Sequence, residues 1–223
     1  MNLKLPETRA GSVATVTNAG LIITGGYSGE KKAVIQNVLQ LKSKKPKSGK
    51  RDSFVEIVGL KLGRFRHSCC FQEKTELLIC SGGMAKESRN KKSKAIDSVV
   101  VLKTEENLGQ NKFEFHSTLP EPLYDHFMVI GDDDLLYILG GNNGKLHPPV
   151  NRILRFDEEL KIWEVLSEEL PVQIMSASGV GRFVRTENSI LEFNNNLNMT
   201  LLIDDLEERN FHSSVIIPSN WLN

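Results

Sequence analysis

The chain has 223 residues and a mass of 25.0 kDa, a length that fits one domain. Its 28 Lys and Arg balance its 28 Asp and Glu. No apolar run reaches the ~20 residues that a bilayer-spanning helix needs, and the first residues lack the apolar core of a signal peptide, so no membrane association is expected. Three cysteines, two of them adjacent, make a poor disulfide framework. We therefore expect a reducing, cytoplasmic location, with the nucleus as the alternative.

The charges are unevenly distributed along the chain. Residues 1–111 hold 20 Lys and Arg against 10 Asp and Glu, and residues 112–223 hold 8 against 18, so the halves carry +10 and −10. Much of the positive charge lies in two stretches that lack aromatic residues and are typical of solvated loops, 42–51 and 86–94. Two consequences of this uneven distribution are open: the basic half attracts an acidic partner, or the two halves of different copies of the chain associate head to tail. The lack of base-stacking aromatics in these stretches argues against nucleic acid as the partner.

An internal repeat organises the sequence. An apolar run that ends in a glycine pair occurs three times, at residues 21–26, 77–83 and 135–141, and its first glycines are 57 and 58 residues apart. Sixteen residues before these glycines stand three residues that each precede a short apolar segment: Arg9, Arg66 and Tyr124. Self-similarity at such a period is the signature of a repeat architecture.

Each repeat continues with two further runs of strand character. They lie at 34–41 and 54–58, at 97–102 and 112–116, and at 152–157 and 161–166. Runs of this length, bounded by Gly, Asn, Asp and Ser and without a sustained helical stripe, predict four short antiparallel strands per repeat. A small sheet of this kind buries both faces only by stacking on its neighbours.

A fourth repeat is weaker. It is predicted to have a first strand at 178–184, a second at 189–193 and a third at 199–203. Asparagines at 194–196 replace the glycine pair, and residues 211–218 are similar to the opening strand of another repeat.

The glycine pairs, the Arg-His-Ser opening at 66–68 and Trp163, 22 residues after Gly141, resemble the kelch repeat. In that family the glycine pair ends the second strand and a tryptophan lies in the fourth. The resemblance implies an all-β, kelch-type β-propeller of about four four-stranded antiparallel blades within one domain. The blades span approximately 8–60, 64–119, 123–170 and 174–210, followed by a terminal strand at 211–218. Kelch propellers usually have six or seven blades, so the chain is interpreted as a piece of a larger propeller, a small or irregular ring, or a ring that a second chain completes.

Candidate residues for chemistry have structural explanations at this stage. His67, His126 and His212 open strands, and the spacings typical of zinc ligands do not occur. The three cysteines lie in apolar strands and are interpreted as small buried side chains. Asp132–Asp134 and the glycines near 140–144 are interpreted as turns. We therefore predict no catalytic residue, no metal site and no cofactor.

The resemblance also indicates where a partner would bind. Loops after the glycine pairs and loops that lead into each first strand gather on one face of a propeller, and in kelch proteins that face commonly binds peptides. The matching positions are Arg9, Tyr27, Ser28, Arg66, Met84, Tyr124, Asn142 and Asn143. For Arg9 and Arg66, hydrogen bonds to neighbouring backbone are the alternative. The paired glycines are predicted to be structural, at positive φ or in close contact with backbone: Gly25, Gly26, Gly82, Gly83, Gly140 and Gly141.

The favoured function is a non-catalytic protein-interaction module that presents blade loops to a protein partner. One alternative is a structural or cytoskeletal component that self-assembles or binds actin. A second is an enzyme, or a propeller domain appended to an enzyme, which perturbed titratable groups around the central channel would indicate.

Overall fold

The computed structural model describes residues 4–42, 52–86, 91–104, 111–144, 151–171, 174, 178–180, 183–185, 190–193 and 199–203. Within these residues the chain is built from strands and turns and contains no helix, which confirms the all-β, antiparallel prediction. A helix long and apolar enough to cross a bilayer is accordingly absent from the described part of the chain. Residues 43–51 and 87–90 of the two basic stretches, and the predicted strand 211–218 with His212, lie outside the described residues.

Four successive units each contain one four-stranded sheet in chain order. Unit 1 contains β1 Val13–Thr17, β2 Gly20–Thr24, β3 Tyr27–Ser28, β4 Ala33–Val34, β5 Val38–Lys42 and β6 Ser53–Glu56. Unit 2 contains β7 Arg64–Phe65, β8 Ser68–Gln72, β9 Leu77–Ser81, β10 Met84–Ala85, β11 Lys94–Ala95, β12 Ser98–Lys103 and β13 Glu114–Thr118. Unit 3 contains β14 Phe127–Ile130, β15 Leu136–Leu139, β16 Arg152–Asp157 and β17 Ile162–Glu169. Unit 4 contains β18 Ser178–Val180, β19 Phe183–Arg185, β20 Ile190–Phe193 and β21 Met199–Ile203.

The four sheets have the strand orders β1-β2-β5-β6, β8-β9-β12-β13, β14-β15-β16-β17 and β18-β19-β20-β21. Two small ribbons accompany units 1 and 2, β3-β4 and β7-β10-β11. The sequence did not predict these ribbons, and the run predicted as one strand at 34–41 is divided between β4 and β5. In unit 4 the predicted first strand, 178–184, is a hairpin of β18 and β19, so 199–203 is the fourth strand of its sheet and not the third.

Neighbouring sheets pack face to face because their strands are apolar on both sides. In β9, Leu78 and Cys80 belong to the core between units 1 and 2, whereas Ile79 belongs to the core between units 2 and 3. This alternation is the period of two that a strand imposes on its side chains. The first strands β1, β8 and β14 lie side by side, so units 1 to 3 follow one another in space as they do in sequence.

A buried hydrogen bond joins units 2 and 3 near their outer strands. Trp163 Nε1 donates to Ser117 Oγ at 2.9 Å, and the Trp163 ring packs against Phe156 with centroids 5.1 Å apart. The tryptophan that the repeat resemblance singled out therefore lies in the contact between two units.

Candidate functional site

The residue that follows each glycine pair forms backbone hydrogen bonds with the segment that opens its own unit. The amides of Tyr27 and Ala10 each donate to the carbonyl of the other, and the amides of Asn142 and Tyr124 do the same. Met84 is the β-pairing partner of Phe65. These contacts place the residues after the glycines and the opening segments along one edge of units 1 to 3. We call this region the glycine-pair edge.

The first glycine of each pair has a conformation and an environment that exclude a side chain. Gly25 and Gly82 have φ of 56° and 53°. A Cβ atom there would lie 2.2 Å from the Arg64 carbonyl oxygen and 2.3 Å from the Leu123 carbonyl oxygen, respectively. Left-handed φ and close backbone contact both favour glycine.

The second glycine of each pair joins one unit to the next. The amides of Gly26, Gly83 and Gly141 donate to the carbonyls of Arg64, Leu123 and Ile174 at 2.7–2.8 Å. A backbone hydrogen bond therefore crosses the contact at the same point in three successive units. The second glycines also have positive φ, between 98° and 109°, and a Cβ atom there would meet the opening segment of the same unit, so both positions of the pair favour glycine.

The residues that occupy equivalent positions in units 1 to 3 are not those that the constant spacing of 16 residues predicted. Gly11, Arg66 and Asp125 have φ between 56° and 62°, and the amides of Arg66 and Asp125 donate to the carbonyls of Gly11 and Arg66. Arg66 is therefore equivalent to Gly11 and not to Arg9. The residue equivalent to Arg9 is Arg64, which the sequence analysis did not single out.

Arg9 and Arg64 make equivalent contacts with the backbone of their own units. Arg9 Nη1 donates to the carbonyls of Gly25 and Asn37 at 3.1 Å each. Arg64 Nη1 donates to the carbonyls of Gly82 and Ser98 at 3.1 and 3.0 Å. These bonds hold the end of the second strand against the start of the third. Arg9 therefore makes the backbone hydrogen bonds that were the alternative to a role in partner binding. Its side chain is fully buried and offers no surface to a partner.

Ser28 is also buried, and its Oγ accepts a hydrogen bond from the amide of Lys31 at 3.2 Å. Met84, Asn142 and Asn143 are half-buried on the glycine-pair edge. Asn143 Nδ2 donates to Glu121 Oε2 at 2.9 Å. Of the predicted partner-binding residues, all except Arg9 and Ser28 therefore have exposed surface.

Aromatic rings and one ion pair contact each other on this edge. Tyr27 and Phe65 contact each other with ring centroids 5.6 Å apart. The Arg66 guanidinium lies over the Tyr124 ring, 4.7 Å from its centroid, and forms a salt bridge with Asp125. Phe65 was missed because only the fold shows that it opens unit 2 as Tyr124 opens unit 3.

The two described histidines that open strands each reach a hydroxyl in the preceding unit. His67 Nε2 and Thr24 Oγ1 are 2.8 Å apart, and His126 Nε2 and Ser81 Oγ are 2.7 Å apart. Burial, followed by the charge of Arg64, lowers the pKa of both, that of His126 to about 3. Both imidazoles are therefore neutral at physiological pH, and their hydrogen bonds join successive units.

Two cysteines lie beside one of these histidines. Cys69 and Cys80 are directly opposite each other on β8 and β9, and their Sγ atoms are 2.6 Å apart in the free-thiol form. His67, Cys69 and Cys80 place one ligand atom each within 4.8 Å of one another, which is close enough to hold a metal ion. The sequence analysis predicted no metal site because the contact depends on strand register rather than on spacing.

A groove on units 1 and 2 is lined mainly by apolar side chains. Its lining includes Leu60, Val100, Phe113 and Phe115, together with Arg64 and Lys61. Phe115 is 66% exposed and lies on the outer strand β13, so it offers an aromatic surface away from the glycine-pair edge.

Comparison with known proteins gives a likeness of fold. No family model and no curated protein matches the chain. A solved structure described as "Structure of YjhT" is similar with a TM-score of 0.66 and 13% sequence identity, over 90% of this chain and 67% of that one. At this identity the likeness concerns the fold alone.

Proposed function

We propose that the chain forms a kelch-like β-propeller and acts as a non-catalytic binding module for a protein partner. The propeller interpretation is supported by four successive four-stranded meanders, by contacts between consecutive first strands, and by the likeness to the solved structure. The three free thiols favour a reducing compartment, so we also propose the cytoplasm as its location.

The observation that carries the binding function is the grouping of Tyr27, Phe65, Arg66 and Tyr124 on the glycine-pair edge. Tyr and Arg are enriched among the residues that dominate interface energies, and such residues cluster where water is excluded. The four side chains are half-buried in the free protein, so part of each remains available for contact.

The edge is also held in position before a partner arrives. Asp125 and Tyr124 fix the Arg66 guanidinium, and Phe65 supports the Tyr27 ring. Side chains that are ordered in advance lose less conformational entropy on binding, which increases the affinity for a given contact area. A stable interface needs about 800 Å² from each partner, and the glycine-pair edge provides its contacts from three consecutive units.

The test is affinity capture from a native extract with the wild-type chain, with Tyr124→Ala and with the control Phe115→Ala. We expect Tyr124→Ala to weaken retention of the captured protein by about tenfold or more, as loss of an interface anchor does. Phe115→Ala should retain it. Equal capture by the wild type and Tyr124→Ala would contradict the assignment of this edge, and loss only in Phe115→Ala would move the binding surface to the groove on units 1 and 2.

Light scattering of the purified chain at low and high salt separates this function from self-assembly. The binding-module proposal predicts a constant mass over both salt concentrations. Growth of the particle mass at low salt would instead support association through the oppositely charged halves, because attraction between exposed charges extends only about 8 Å at physiological salt.

A further inference from the structure

Four potential donor atoms meet at the contact between units 1 and 2. They belong to Thr24 at the end of β2, to His67 just before β8, to Cys69 on β8 and to Cys80 on β9. Thr24 Oγ1 lies 2.8 Å from His67 Nε2 and 3.3 Å from Cys69 Sγ. Cys80 Sγ lies 2.6 Å from Cys69 Sγ, so the imidazole and the two thiols face the same small space.

The local fold explains this convergence. His67 and Cys69 are two residues apart and so lie on one side of their strand segment. Cys80 is the direct cross-strand partner of Cys69. Gly25 lets the next unit approach so closely that a Cβ atom there would lie 3.0 Å from His67 Cε1.

The equivalent position between units 2 and 3 shows which of these residues are needed to join two units. Between units 2 and 3, His126 and Ser81 form the same imidazole–hydroxyl bond. Met128 and Ile138, which face each other across β14 and β15, occupy the places of Cys69 and Cys80. The joining of units therefore needs the histidine and the hydroxyl but not the thiols.

A buried positive charge lies next to the thiols. Arg64 is 2% exposed, and its described hydrogen bonds go to two carbonyls and to the Ser98 hydroxyl. Among the described residues no carboxylate pairs with it, and the ionisable groups that act on it to raise its pKa are the thiols of Cys80 and Cys69. A buried charge without a partner is costly, and sulfur ligands that lose their protons to a bound metal ion would supply the negative charge that Arg64 lacks.

Charge and ligand chemistry together select the ion. Two thiolates and the Arg64 guanidinium sum to −1, which one monovalent cation neutralises. A divalent cation would leave a buried positive charge. Thiolate ligands favour soft ions such as Cu(I), whereas zinc normally takes four ligands, and the fourth donor here is only a neutral hydroxyl.

We propose that His67, Cys69 and Cys80 bind a single Cu(I) ion between units 1 and 2. On binding, two Cu–S bonds form, the thiol protons leave to solvent, and the oxidation state of copper does not change. Cys69 is half-buried, so the ion reaches the site past this side chain, whereas His67 and Cys80 are buried.

The experiment is an anaerobic titration of the reduced, purified chain with Cu(I) supplied as its complex with a chromophoric chelator, followed by native mass spectrometry. We expect one copper per chain. Changes outside the ligand sphere of a metal lower its affinity by up to about 100-fold. Cys69→Ser and Cys80→Ser each remove a ligand, so each should lower the copper affinity by more than that. Cys70→Ser is the matched control, because Cys70 packs in the core between units 2 and 3, and it should bind copper like the wild type.

X-ray absorption of the copper-loaded wild type gives a readout that needs no variant. Two sulfur neighbours and one nitrogen neighbour are expected. The proposal is overturned if the wild type takes up no stoichiometric copper, if Cys70→Ser loses binding as strongly as Cys80→Ser, or if the site takes up Zn(II) in preference to Cu(I). A Cys69–Cys80 disulfide whose reduction yields no copper binding would also overturn it.

Discussion

The Arg66 guanidinium donates two hydrogen bonds to the Asp125 carboxylate, Nε to Oδ1 at 2.7 Å and Nη2 to Oδ2, and so joins two residues that lie 59 positions apart. The Asp125 side chain is 4% exposed and that of Arg66 is 29% exposed. Two-point pairing of this kind fixes both distance and orientation. Because the residues occupy equivalent positions in units 2 and 3, the pair connects the two units on the glycine-pair edge.

Arg66→Met should lower the free energy of unfolding by about 2–4 kcal/mol, because it leaves the buried Asp125 carboxylate without its cation. In the double variant Arg66→Met/Asp125→Asn the loss should be smaller than the sum of the single losses, with a coupling of about 1–3 kcal/mol. Denaturant unfolding of the four proteins measures the cycle. Strictly additive losses would show that the pair does not stabilise the contact between units 2 and 3.

Gly82→Ala should destabilise the chain by about 2–4 kcal/mol. Its φ is 53°, and the added Cβ would lie 2.3 Å from the Leu123 carbonyl oxygen. Gly29→Ala is the control, because no atom lies within 4 Å of the Cβ it would add. Thermal unfolding of both variants measures the difference, and equal melting temperatures would contradict the close approach of units 2 and 3.

The strands were largely predictable because their signals are local. The apolar run at 152–157 coincides with β16, and the glycine pairs mark the ends of the second strands in units 1 to 3. The equivalence of Arg9 and Arg66 was wrong because the segments before the glycines differ in length. Arg9, Arg64 and Leu123 precede the first glycine by 16, 18 and 17 residues. A slip of one residue in such an alignment moves every side chain to the opposite face.

The thiol and imidazole cluster could not be predicted, for a different reason. Its members meet because β8 and β9 pair with Cys69 opposite Cys80, and because Thr24 belongs to the preceding unit. Neither strand register nor packing between units can be read from the spacing of His67, Cys69 and Cys80 along the chain. The HxC pattern at 67–69 is the signal that was available, since it places both side chains on one face of a strand.

Trp163→Phe should lower the free energy of unfolding by about 1–2 kcal/mol, because it removes the indole N–H that donates to Ser117 Oγ in a buried contact. Ser117→Ala removes the acceptor and should leave the indole N–H unpaired, at a cost of about 1–3 kcal/mol. Urea unfolding of the two single variants and the double variant tests the pair. If the stability loss of the double variant equals the sum of the two single losses, the hydrogen bond does not couple units 2 and 3.

The stability of the chain should fall on acidification below pH 6.5 because His126 is buried in its neutral form. Its pKa in the folded chain is about 3, lowered first by burial and then by the charge of Arg64, and the ordinary value is 6.5. The unfolded chain therefore binds a proton between these pH values while the folded chain does not. The stability from this histidine is complete above pH 6.5 and is lost as the pH falls towards 3. The loss is about 2 kcal/mol at pH 5.

His126→Gln is the variant that isolates this effect, because an amide can still form a hydrogen bond with Ser81 Oγ but does not titrate. We expect the variant to be less stable than the wild type at pH 7.5 and to lose less stability between pH 7.5 and pH 5. His67 contributes a loss in both proteins, since its pKa is lowered first by burial and then by the charge of Arg64, with His126 a smaller cause, so the difference between the two pH profiles reports chiefly His126. Chemical denaturation at pH 7.5, 6 and 5 provides the measurement, and identical slopes for the two proteins would mean that His126 is accessible to protons in the folded chain.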